Sequence, residues 1–127
     1  MSLLTRLDGA ELAQVWFVRD YVQLIFEDPA GSWSLQCWVW PRVRVGGQEI
    51  APGEARYRDS LCELIGQQVV STGTARGLRV DFVGAGLVVD PSIDELVGPE
   101  IAMLHPLFEQ APGMVWRPGE GAFEHLA

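Results

Sequence analysis

The sequence predicts an α+β domain, an antiparallel β-meander of about seven to nine strands in a curved or rolled sheet packed on one main helix at about residues 54–65. Three observations lead there. Apolar and polar side chains alternate through the first half of the chain with the period of two that a half-buried strand requires. Short breaks rich in Gly, Pro and Asp interrupt the alternation at hairpin spacing. After Pro52-Gly53 the period lengthens to that of a helix.

The organising stretch is Gln14 to Ile50. Gln14–Val18 and Tyr21–Glu27 flank Arg19-Asp20, and a two-residue loop there pairs Val18 with Tyr21, Phe17 with Val22 and Val15 with Leu24. The turn Asp28-Pro29-Ala30-Gly31 then folds Ser32–Val45 back, setting Leu24 opposite Leu35, Val22 opposite Cys37 and Tyr21 opposite Trp38. Both turns place Val15, Phe17, Val22, Leu24, Phe26, Trp33, Leu35, Cys37 and Val39 on one face, so two independent signals agree on the meander. The alternation survives Pro41 and continues through Val43 and Val45; a proline cannot donate to a ladder, so Pro41 marks an edge, a bend or a bulge. Gly46-Gly47 is a tight-turn signal that returns Glu49 opposite Arg44 and Ile50 opposite Val43.

Tyr57, Leu61, Leu64 and Ile65 then fall on one helical stripe facing the sheet, with Gly66 just past its end. Gln68–Ala75 and Leu78–Val83 read as a hairpin about Arg76-Gly77, and Gly86–Val89 returns after Gly84-Ala85. Leu78, Val80, Phe82, Leu87 and Val89 share one face. Ile93–Val97 reads as a short helical turn, and Ile101–His105 with Met114–Arg117 as a last strand pair. Residues 1–11 read as a loose lead-in that Leu3, Leu4 and Leu7 could order, and 118–127 as a flexible tail, leaving one domain over 1–127.

Composition narrows the function. A net charge of −8 opposes nucleic-acid binding, which rests on neutralising phosphates. No apolar run reaches the length of a membrane helix, and no export signal precedes the first strand, so the expected address is the cytoplasm. Cys37 and Cys62 lack metal-ligand spacing and read as free thiols. No cofactor or metal is expected.

One face of the pattern carries a candidate site. The outer face of the first sheet brings together Trp16, Val18, Tyr21, Ile25, Trp38 and Trp40 with Gln23, Arg42 and Arg44. A solvated face should be mainly polar, and a Trp- and Arg-rich apolar patch marks an interface. The candidate interface is therefore Trp16, Tyr21, Gln23, Ile25, Trp38, Trp40, Arg42 and Arg44, and a homodimer is its simplest partner. Cover by another part of the chain, such as Ile101–Trp116 or the N-terminal leucines, is the competing reading. Catalytic signals are thin. His105 next to Pro106 reads as a strand-end residue, and spacing does not support a Cys62–His105 thiol–imidazole pair. His125 lies in the tail. Glu95 with Glu100, or Asp90 with Asp94, could pair, but acids cluster by chance in a chain with 17 of them. Gly84-Ala85-Gly86 joins two strands and lacks the helix that a phosphate cradle needs.

The segments Val15–Tyr21, Val39-Trp40-Pro41, Tyr57–Cys62 and Val97–Glu100 resemble a family of small uncharacterised proteins of G+C-rich actinobacteria, over about Leu12 to Trp116. An all-Arg set of basic residues, with no Lys and no Asn anywhere in the chain, fits such a source. The resemblance implies a cytoplasmic accessory protein and supplies no catalytic residue. The expectation is thus a non-catalytic protein-interaction or self-associating domain using the Trp/Arg face. The alternative is a small-molecule binder with a pocket between helix and concave sheet, using Ser71, Thr72 or Gln67. A small enzyme ranks last.

Overall fold

The computed structural model describes residues 3–107 and 113–122. Ten strands among these residues form two five-stranded antiparallel sheets. The first contains β1 (Glu11–Phe17), β2 (Val22–Asp28), β3 (Gly31–Cys37), β9 (Ala102–Pro106) and β10 (Met114–Trp116), in that spatial order. The second runs β5 (Gln48–Ile50), β4 (Arg42–Val45), β8 (Ala85–Val89), β7 (Leu78–Phe82), β6 (Ser71–Gly73). One short helix, α1 (Tyr57–Cys62), and two 3-10 turns, Leu3–Leu7 and Ile93–Glu95, complete the described structure.

The local registers follow the turn chemistry. Phe17 faces Val22 and Val15 faces Leu24, while the Val18 amide donates to the Tyr21 carbonyl at 2.9 Å. Leu24 faces Leu35 and Val22 faces Cys37, across a turn in which the Asp28 carboxylate accepts from the amides of Ala30 (2.7 Å) and Gly31 (3.2 Å). Gly46 and Gly47 take φ of 56° and 85°, the left-handed pair a tight hairpin needs, and Arg44 meets Glu49. The β7–β8 register pairs Phe82 with Ala85, so that turn is Val83-Gly84, one residue earlier than Gly84-Ala85.

Two expectations are corrected. The strands do not form one curved or rolled meander, and neither sheet closes on itself. The reason sits at Trp38–Pro41. Sequence alternation runs unbroken from β3 into β4, yet β3 pairs with β2 and β9 whereas β4 pairs with β5 and β8. The chain changes sheet here, and the β8–β9 connection makes the return crossing. The helix is also shorter than 54–65. Residues 63–66 continue as turn, with Leu64 and Ile65 amides bonding three residues back to Leu61 and Cys62, and Ile65 is exposed. In the N-terminal segment Leu4 and Leu7, the leucines expected to order it, are buried together with Ala10. Of the expected tail, residues 118–122 form turns that bury Ala122, and 123–127 lie outside the described residues.

One apolar cluster draws on every layer. It includes Leu24, Phe26 and Leu35 from the first sheet, Val43, Val80 and Leu87 from the second, and Tyr57 and Leu61 from α1. Tyr57 ties the cluster to the crossing: its hydroxyl donates to the Pro41 carbonyl at 2.6 Å, and its ring lies 6.2 Å from that of Trp40. Burial raises the Tyr57 pKa well above the ordinary phenol range, with the nearby Cys37 thiol adding to it. The neutral hydroxyl is therefore the native form, and its contribution holds below about pH 10 and declines above it as the unfolded phenol ionises. Replacing Tyr57 by Phe leaves the Pro41 carbonyl without that donor. Denaturant unfolding of Tyr57→Phe should show a loss of about 1–3 kcal/mol, and an unchanged midpoint would contradict the role given to this bond.

Candidate functional site

The crossing at Trp38–Pro41 redistributes the expected Trp/Arg face. Trp16, Gln23 and Ile25 belong to the first sheet, with Tyr21 in its β1–β2 hairpin, whereas Arg42 and Arg44 point outward from the second. The two arginines are engaged by acids. Arg42 Nη2 meets both carboxylate oxygens of Glu95 at 3.0 and 3.1 Å, and its Nε lies 3.6 Å from Glu49. Arg44 Nη2 lies 2.8 Å from Asp81, whose other oxygen accepts from the Ser71 hydroxyl at 3.2 Å. Glu95 titrates below the usual carboxylate range, mainly because the Ser92 amide donates to it, with the Ser92 hydroxyl and Arg42 assisting.

The tryptophans separate as well. Trp40 is turned onto the core, 6.0 Å from Phe17 and 6.2 Å from Tyr57. Trp38 stacks obliquely on Tyr21 at 5.7 Å, and both rings are half-buried. Ile25 is only 1% exposed and offers no contact surface. Gln23 donates to the buried Ser34 hydroxyl oxygen at 2.8 Å. Trp16 alone of the three candidate indoles is broadly exposed, at 52%, with its Nε1 held 2.7 Å from the Gln14 amide oxygen. The eight expected residues thus do not form one patch.

A site on β1 escapes side-chain alternation because it is made of backbone. β1 is an edge strand. Since the Val18 amide bonds to Tyr21 across the hairpin, antiparallel alternation turns the polar backbone groups of Trp16 and Gln14 toward β2 and those of Val15 and Phe17 away from the sheet. The lower part of this edge is covered: Leu12 donates to Gln67 (3.0 Å) and accepts from Gly66 (2.8 Å), and Ala10 accepts from Val69 (2.8 Å). Among the described residues no such bond reaches Val15 or Phe17. The open stretch Ala13–Val18 carries no charge, whereas exposed edges are commonly protected by charged side chains. The sequence signal was an uncharged run ending at a turn, but only the strand order identifies it as an edge.

The remaining candidates are dispersed. The Cys37 thiol is fully buried and pushed up to about 12 by desolvation, which suppresses the reactive thiolate. Cys62 is exposed on α1. His105 lies on the outer face of the first sheet, opposite Ser34, with Nδ1 3.0 Å from the Pro106 carbonyl oxygen. α1 packs against β4 of the second sheet, and no hydrogen bond joins Cys62 to His105 among the described residues. No group of three or more His, Cys, Asp or Glu among the described residues is placed to hold a metal. Clefts of about 490, 340 and 350 Å3 lie beside the Arg44–Asp81 pair, between the Asp90–Leu96 segment and the chain after Trp116, and at Glu11, Glu27 and Asp28. None of these three is lined by α1. Ser71 bonds Asp81, Thr72 donates to Asp8 at 3.1 Å, and Gln67 donates to the Glu63 carbonyl at 3.3 Å.

Comparison with family models, with curated proteins and with solved structures found no match. No helix among the described residues is long and apolar enough to cross a membrane.

The two thiols should differ sharply. In the native state a thiol reagent is expected to modify Cys62 and spare Cys37, with the second equivalent reacting only on denaturation. Rapid native modification of both would contradict the burial assigned to Cys37.

Proposed function

We propose that this chain is a non-catalytic protein-interaction domain that docks a partner along the open edge of β1, with the Trp16 indole beside the seam. The observation carrying this reading is the outward backbone of Val15 and Phe17, which no hydrogen bond reaches among the described residues, next to a half-exposed tryptophan. An exposed strand edge is a template for adding another strand: main-chain bonds supply attraction and flanking side chains supply selectivity. Trp is among the residue types that dominate interface energetics.

The surroundings favour this over a chemical role. The Arg42 and Arg44 guanidinium groups are occupied by carboxylates of the same chain, and the candidate nucleophile and base belong to elements of different layers, Cys62 to α1 against the second sheet and His105 to β9 of the first. Arg58 sits over the Phe17 ring at 5.3 Å, adding about 0.5–1 kcal/mol to the order of the strand's inner face. That contact holds β1 in place without drawing on its outward bonds.

The test is photo-crosslinking in the producing cell from p-benzoylphenylalanine at position 16, compared with the same group at position 88 on the outer face of the second sheet. Discrete adducts from position 16, with partners identified from their linked peptides, are expected, and none from position 88. An absence of adducts from position 16 would contradict the proposal.

A further inference from the structure

We infer that the partner is a second copy of this chain, joined by antiparallel pairing of β1 with β1 about a two-fold axis at Trp16. This rests on the reading of the β1 edge as a docking surface and adds the identity and register of what docks there. Only residues whose backbone groups point outward can bond across the seam, which limits the choice to Val15 and Phe17. When Val15 of one copy faces Phe17 of the other, every outward amide and carbonyl of both residues finds a partner, and symmetry repeats the pair.

The neighbouring registers fit less well. Setting Val15 against its own copy brings Val18 of one chain onto Leu12 of the other, whose edge is already bonded to Gly66 and Gln67. Setting Phe17 against its own copy carries Val15 onto Arg19, which lies in the hairpin turn. In the Trp16-centred register the strand of each copy ends at Val18 opposite Gln14, just before the covered part of its partner begins. The midpoint of the two outward-facing residues, Val15 and Phe17, coincides with the exposed indole.

The seam is also electrostatically permissive. The chain carries a net charge of −8, so apposing two copies at a random surface meets like-charge repulsion. Ala13–Val18 is uncharged and places no acid at the join. The two Trp16 residues occupy a non-hydrogen-bonded pair, the closer of the two antiparallel arrangements, on the same face of a continuous sheet.

The test uses the full chain. Light scattering after size exclusion should give twice the 14.0 kDa chain mass, and Trp16→Ser should weaken the dimer about tenfold while leaving the thermal midpoint of the dilute protein unchanged. The register is read by cysteines in a Cys62→Ser background. Gln14→Cys combined with Val18→Cys should oxidise to a disulfide-linked dimer, because facing α-carbons at such a pair lie about 4.5 Å apart. Gln14→Cys alone, facing Val18 of the partner, should not. A monomeric mass at the highest concentrations, or equal crosslinking by the single and double variants, overturns the inference. Adducts from position 16 to a different protein would overturn self-pairing and leave the docking edge standing, whereas no adducts at all would remove both.

Discussion

Pro41 has no amide to give a neighbouring strand, and its carbonyl goes to the Tyr57 hydroxyl instead of to a ladder. That one exchange of partners lets the chain leave the first sheet and enter the second. A strand running straight on would carry β4 past β9; the crossing hands it to β8. The Trp38 and Val39 amides both reach the Ile101 carbonyl, at 3.0 and 3.3 Å, so the return connection is bonded to the outgoing one at the same corner. Trp40, packed between Phe17 and Tyr57, fills the angle between the sheets. The corner is therefore aromatic, buried and hydrogen-bonded, and both sheets take their position from it.

Much of the local structure was legible because turns and alternation are local. Val18 with Tyr21, Leu24 with Leu35 and Arg44 with Glu49 are settled by two-residue loops and by an Asp that accepts from the turn amides. The apolar set of β7 and β8 was equally plain, since Leu78, Val80, Phe82, Leu87 and Val89 are all buried. What alternation cannot report is which sheet a strand belongs to. Cys37, Val39 and Val43 keep their inward parity through the crossing, so the pattern reads the same for one long strand and for two strands in different sheets. The Trp/Arg face was a product of that ambiguity. Arg42 and Arg44 point outward as expected, but from another layer, where Glu49, Glu95 and Asp81 meet them. The helix was overextended for a related reason. Leu64 continues the apolar stripe, yet the residues after Cys62 complete a turn that carries Gly66 and Gln67 onto the β1 edge.

That same turn shapes the functional reading. By capping Leu12 it divides β1 into a satisfied half and an open half, and the open half is uncharged, short and bounded by a hairpin turn. Its inner side chains are anchored, with Phe17 against Trp40 on one side and under Arg58 on another. An ordered strand with unspent backbone bonds pays little conformational entropy to accept another strand. A loose edge would not have this advantage.

The most direct measurement is residue-resolved amide exchange of β1 as a function of protein concentration. The Trp16 amide, turned toward Gln23 in β2, should be protected throughout. Those of Val15 and Phe17 should exchange freely in dilute protein and become protected together as concentration rises. Protection of Val15 and Phe17 at the lowest concentration, or their free exchange at the highest, would contradict the account.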